Sequence, residues 1–138
     1  MSHRIVRSLF ESRLKAWADA RTTPLRIAYQ NVSFTPATGE TYLRAFTLPG
    51  TTASNTLGGD HKLYTGLFQV TIVTPPGKGP GAAETLLDEL SSLYPINHAL
   101  TRDGFTVLVM TPLEPGPEQQ DDTAFSLPCR FEYRADTF

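Results

Sequence analysis

The chain has 138 residues, is 40% hydrophobic and 19% charged, and carries a net charge of −2 from 12 basic and 14 acidic side chains. That length suits one globular domain with a sizeable core. No apolar run reaches the ~18 residues of a membrane span, and the chain lacks the basic excess usual for a free duplex-DNA binder.

The N-terminal stretch "MSHRIVRSLF" has no apolar core followed by a small-residue cleavage site, so no secretory signal is expected. From Ser2 to Arg21 the spacing predicts an amphipathic helix, with Val6, Leu9, Phe10, Leu14, Trp17 and Ala18 on one face. Trp17 reads as a core anchor. The cluster of Arg4, Arg7, Arg13 and Lys15 reads as a solvated helix face. Pro24 stops the helix, and a short strand is predicted from Leu25 to Tyr29. Turn residues Pro36 and Gly39 precede a second strand, Thr41 to Leu48, which divides Tyr42, Arg44, Phe46 and Leu48 from Leu43, Ala45 and Thr47.

From Pro49 to Lys62 the composition turns soft and polar, with Gly50, Thr51, Thr52, Ser54, Asn55, Gly58 and Gly59. The expected element is a long connecting loop that buries too little surface to offset its own ordering entropy. The pattern then changes: Phe68, Val70 and Ile72 alternate with Gln69, Thr71 and Val73, the period of a strand. A second helix is predicted from about Ala82 to Tyr94, with Ala83, Leu86, Leu87, Leu90, Leu93 and Tyr94 as its apolar stripe, ended by Pro95. "TVLVMT" (Thr106 to Thr111) and "LPCRFEYRA" (Leu127 to Ala135) read as strands, separated by the polar loop "PLEPGPEQQDD". The predicted fold is α+β: a mixed, mainly antiparallel sheet with two main helices packed on it, in the order α-β-β-β-α-β-β. The β-α-β stretch leaves room for one right-handed parallel crossover.

Four places invite a chemical reading, and each reads better as structure. "TIVTPPGKGPGAAETL" passes from strand through a glycine-rich turn with Lys78 into a helix, as a phosphate-binding loop does. Gly79 stands where that motif needs Ser or Thr, and Pro75, Pro76 and Pro80 lack amide hydrogens. Asp60 and His61 are adjacent, but neighbours seldom present both groups to one substrate, and no nucleophile accompanies them. His3 and His98 look isolated, and no spacing resembles a zinc site. Asp121 and Asp122 lack the alternating ligands of a calcium loop. Cys129, the single cysteine, leaves no internal disulfide, fits a reducing compartment and reads as a core residue, not a nucleophile. No cofactor or metal is expected.

Two stretches, "NVSFTPATGETYLR" and "YTGLFQVTIVTPPGKG", together with "RLKAWADA" before them and "PCRFEYRA" at the end, carry a resemblance over nearly the whole chain. The sequence resembles the tail terminator-like proteins of long-tailed bacteriophages and prophages. That resemblance implies a ring, usually of six subunits, on the head-proximal end of the tail tube. The ring ends tube polymerisation and offers the surface on which the filled head docks, so the expected partners are further copies of the chain, the tail tube protein and a head completion protein. DNA would pass through the channel without specific binding, and the place of action would be the virion tail, after assembly in the host cytoplasm. The family has no catalytic motif to carry over. In a ring, a loop that is free in the subunit can order against a neighbour. Leu57, His61, Leu63 and Tyr64, apolar or aromatic groups in and just after the soft segment, are the candidate contacts with a second copy or the tube. The plain alternative is a hairpin loop without a partner. Two other functions stay open: a different head–tail completion or tail-tube ring protein, and an enzyme using His61 or the Lys78 turn.

Overall fold

A computed structural model describes residues 3–77, 79–120 and 123–137. Its helices are α1 (His3–Ala20) and α2 (Gly81–Leu93), and its longer strands are β2 (Tyr42–Ala53), β3 (Lys62–Thr74) and β8 (Phe125–Thr137). Shorter strands are β1 (Arg26–Tyr29), β4 (Ala99–Arg102), β5 (Phe105–Val109), β6 (Glu114–Pro115) and β7 (Gln119–Gln120). They form one sheet in the order β1-β2-β3-β8-β5-β4, with β6 and β7 also paired to β8. Every pairing is antiparallel except that of β1 with β2. The α+β fold with a mixed, mostly antiparallel sheet agrees with the sequence reading. The Lys78 turn and Asp121–Asp122 lie outside the described residues, as does Ser2, the predicted start of α1.

Both helices pack on one face of the sheet, because only there do the strands present an unbroken apolar layer. Leu43 and Ala45 from β2, Tyr64, Phe68, Val70 and Ile72 from β3, and alternate residues Phe125 to Ala135 of β8 are all buried on that side. Phe10 of α1 is fully buried at the centre, with its ring 5.1 Å from those of both Phe68 and Phe131 and 5.9 Å from that of Tyr94. The helices are tied to each other across this cluster. The Tyr94 hydroxyl donates to the Phe10 carbonyl at 2.7 Å, and Arg13 Nε donates to the Leu93 carbonyl at 2.7 Å, satisfying a carbonyl at the C-terminal end of α2. Trp17, predicted as the anchor, is only partly buried at the core's border, where the Arg21 guanidinium lies 5.1 Å from its ring centroid. Phe10 takes the central place because it sits mid-helix on the axis of the buried stripe.

Three further expectations are corrected. The second strand does not end at Leu48 but runs on to Ala53, paired with β3 through an irregularity between Pro49 and Thr52. The first part of the soft segment is therefore strand, and 54–61 turns between strands. Pairing supplied by β3 overrides the local turn propensity of Pro49, Gly50 and the threonines. Second, a strand at Ala99–Arg102 was not predicted; it forms a hairpin with β5 through Asp103 (φ 52°) and Gly104 (φ 79°), the positive-φ pair of a tight hairpin turn. Third, the parallel pair is β1–β2, not a crossover through α2. The long connection between β1 and β2 is held by Arg26, which grips both carboxylate oxygens of Glu40 at 2.7 Å and reaches the Thr35 carbonyl at 2.9 Å. That grip, with the Ala37 amide donating at 2.9 Å, holds the Glu40 carboxyl down at about 2.

Tyr133 lies across β3 at Gly66, and the absence of a side chain there is what lets it. A Cβ on Gly66 would stand 2.6 Å from the Leu48 carbonyl oxygen and 2.6 Å from the Tyr133 hydroxyl. Backbone and a buried ring would both have to shift. Gly66→Ala is expected to destabilise the fold by about 1–3 kcal/mol, measured by urea unfolding. Gly58→Ala, where the nearest atom to the new Cβ is at 3.8 Å, should change stability by less than about 0.5 kcal/mol.

Candidate functional site

Among the described residues, the β2–β3 hairpin end and the sheet face without helices present apolar side chains to solvent, and Val32 and Ile96 are exposed elsewhere. At the hairpin end, the tip is built by side chains that satisfy its backbone. The Thr56 hydroxyl donates to Asp60 Oδ1 at 2.6 Å and accepts from the His61 amide at 3.2 Å, while the Gly59 amide donates to the Thr56 carbonyl at 3.2 Å. The Thr56 bond holds the Asp60 carboxyl below its ordinary range, so the tip carries a firm negative charge.

His61 fixes this tip to the sheet. Its side chain is only 5% exposed. Nδ1 accepts the Asn55 amide at 3.2 Å, which leaves Nε2–H to donate to Asp136 Oδ2 at 3.2 Å. Arg134 Nε and Nη2 donate to the same carboxylate at 3.0 and 3.1 Å, and this guanidinium is the main reason the Asp136 carboxyl is held low. With both ring nitrogens engaged, His61 has no nitrogen to offer a substrate. Cys129 is equally occupied: it is fully buried, its Sγ–H donates to the Val70 carbonyl at 3.0 Å, and burial pushes its thiol up to about 12.

The four residues predicted as contacts do not share one surface. Leu57 stands out at the tip, as exposed as an isolated side chain. Leu63 is half-buried and faces away from the helices, whereas Tyr64 faces the core at 9% exposure, with its ring 6.2 Å from that of Phe105. His61 is inside the tip. Leu57 and Leu63 are thus the ones a partner could reach without rearrangement.

His3, which looked isolated, joins this region from the start of α1. Its Nδ1 lies 2.6 Å from the Tyr133 hydroxyl and its Nε2 3.3 Å from the Thr52 hydroxyl, with its ring edge-on to Tyr64 at 5.2 Å. Burial pushes the Tyr133 hydroxyl up to about 12, so it is a donor, and the neutral imidazole accepts from it while donating to Thr52. No sequence spacing could have joined these four residues, because they come from α1, β2, β3 and β8.

On the opposite face of the sheet, side chains missed by the sequence reading lie uncovered. Leu48 (43% exposed), Leu108 (36%) and Met110 (39%) flank half-buried Phe46 and Leu67. Leu48 pairs with Leu67, Leu67 with Glu132, and the Met110 amide donates to the Glu132 carbonyl, so these residues form one row across the sheet. A shallow depression of about 470 Å³ opens beside it, lined by Gly50, Thr65, Leu67, Met110, Glu132 and Arg134. The alternation of "FTVLVM" held the clue: Phe105, Val107 and Val109 point in, so Leu108 and Met110 must point out. Among the described residues no cluster of metal-ligating side chains occurs, and no helix is long and apolar enough to cross a membrane.

Comparison with known proteins places the chain in a family. The profile of the phage tail terminator proteins matches residues 5–133. The chain belongs to the phage tail terminator protein family. It is a structural or assembly component of a phage tail. One solved structure is 39% identical, superposes with a TM-score of 0.84, and is matched over 98% of its length by 100% of this chain. No curated protein matches the chain.

In this terminator-family chain the His3 anchor makes a pH prediction. Burial lowers the His3 pKa from its unfolded value near 6.5, so the unfolded chain binds more protons than the folded one as pH falls through that value. The stability held by neutral His3 is present above about pH 6.5 and is lost below it, toward the depressed folded-state value. His98, shifted in the same direction, forms a background common to wild type and variant. In His3→Gln the loss of urea stability between pH 7.5 and pH 5 should be smaller than in wild type; an equal loss would show that His3 is not an acid-sensitive anchor.

Proposed function

We propose that this protein closes the head-proximal end of a phage tail tube as a ring of identical subunits, ends tube polymerisation there, and presents the surface on which the head docks. The observation that carries this reading is the family match across residues 5–133. The action is mechanical, without a catalytic step, and the site geometry supports that: His61 and Cys129 spend their reactive atoms on internal hydrogen bonds.

Size and charge are compatible with a ring around a DNA channel. A specific contact buries about 800 Å² on each partner, so two contacts per subunit would take about a fifth of the 7837 Å² accessible surface. With a net charge of −2 the chain would not grip the DNA passing through it. Partners on this reading are further copies of the chain, the tail tube protein below and a head completion protein above, with the hairpin end around Leu57 and Leu63 as one of the contact surfaces.

Electron microscopy of particles made without this protein tests the reading. Tails longer than wild type and lacking heads are expected. Tails of normal length that fail only to join heads would assign the chain to head–tail joining instead, and normal infectious particles would reject an assembly role.

A further inference from the structure

We propose that the hairpin tip of one copy seats on the uncovered sheet face of the next, with Leu57 entering the depression beside Leu67 and Met110 and Asp60 meeting Arg134. This inference rests on the ring reading and names the contact that would build it. Besides the exposed side chains of Val32 and Ile96, the described residues leave uncovered a protruding leucine, Leu57, and a row formed by Leu48, Leu67 and Met110. A ring needs such a pair of unlike surfaces, since each subunit gives one and receives the other. A single patch meeting itself would stop at a dimer.

A tip that fills the depression must come from a second copy, because the tip cannot reach its own depression. Gly50 and Thr65 line that depression, and from Gly50 the chain runs outward as strand to Ala53 before the tip begins. At about 3.3 Å per residue, the tip starts about 10 Å beyond, and the bond from His61 to Asp136 holds it in line with β8. Charge is compatible at one point: Asp60 is the one charged residue in 54–60, and Arg134, whose Nε and Nη2 are held by Asp136, stands at the rim of the depression beside Glu132 with its side chain 43% exposed. Part of the hairpin edge is closed to strand addition: the Gln30 side chain accepts the Thr47 amide at 3.2 Å, and Pro49 next along that edge has no amide to offer. Contact through side chains at the tip is therefore favoured over β-augmentation.

Cross-linking in assembled tails tests this. Tails are purified from cells producing the double variant Leu57→Cys, Met110→Cys and treated with a short bis-maleimide. Cys129 is fully buried with its thiol pushed up to about 12, so it does not compete. A ladder of covalent multimers of this chain is expected on a denaturing gel, and the control Leu57→Cys, Val32→Cys, also with both positions exposed, should give none. Tails of normal length that contain the double variant but yield monomer alone would overturn the proposed contact while leaving the ring reading intact. A Leu57 variant cross-linked only to a different tail protein would overturn it too. Tails from which the chain is absent would sink both. In parallel, Leu57→Ser and Met110→Ser should each weaken self-association by about tenfold or more with unchanged melting temperature; unchanged association would count against the contact.

Discussion

Two-sided pairing of β3 is the constraint on which the rest of the molecule depends. Over thirteen residues, from Lys62 to Thr74, β3 pairs with β8 without interruption, and on its other side β2 follows it from Val73 to Leu63 with one irregularity. Each hydrogen bond adds only about 1 kcal/mol net, but the ladder fixes the register. Register in turn decides that Tyr64, Phe68, Val70 and Ile72 meet the helices. Phe68 then completes the aromatic group with Phe10, Tyr94 and Phe131, whose ring centroids lie 5.0 to 5.9 Å apart. Such pairs contribute about 0.5–1.5 kcal/mol each beyond their buried area. A slip of one residue would turn the whole set toward solvent.

The same ladder explains why the surface is divided as it is. Both helices go to one face, since α1 and α2 are linked through Tyr94 and Arg13 and share one aromatic centre. On the other face the described residues form no third layer to cover Leu48, Leu67, Leu108 and Met110. The hairpin tip extends past the last strand pairs but is not loose, because His61 ties it to Asp136 and Arg134 at the far end of β8. The proposed ring would need this combination: a rigid support and surfaces the single chain leaves unsatisfied.

Much of this was legible in the sequence, and the failures have physical causes. The helices were read to within a residue or two because a 3.6-residue apolar stripe is a strong, local signal; Val6, Leu9, Phe10, Leu14 and Ala18 are all buried. The alternating β3 and β8 segments were legible for the same reason. The end of β2 was not, since Pro49, Gly50 and Thr51 carry turn chemistry and become strand only because β3 pairs with them. The Asp103–Gly104 hairpin signal was present and overlooked. His61 illustrates the deeper limit. Its burial and its role as a fastening depend on Asp136, a partner that only the folded sheet brings near. Leu57, by contrast, was readable as an uncovered leucine between flexible neighbours, and it remained so in the fold.

Native-state hydrogen exchange on the isolated protein addresses the central claim most directly, because it reports the ladder residue by residue. If β3 is the rigid support of the hairpin end, amides of Tyr64 and Gly66 will exchange as slowly as those of Phe68 and Val70 in the middle of the strand, through the same global opening. Exchange at Tyr64 and Gly66 close to the rate of an unstructured peptide, with Phe68 still protected, would show that the hairpin end opens by itself and would contradict the account.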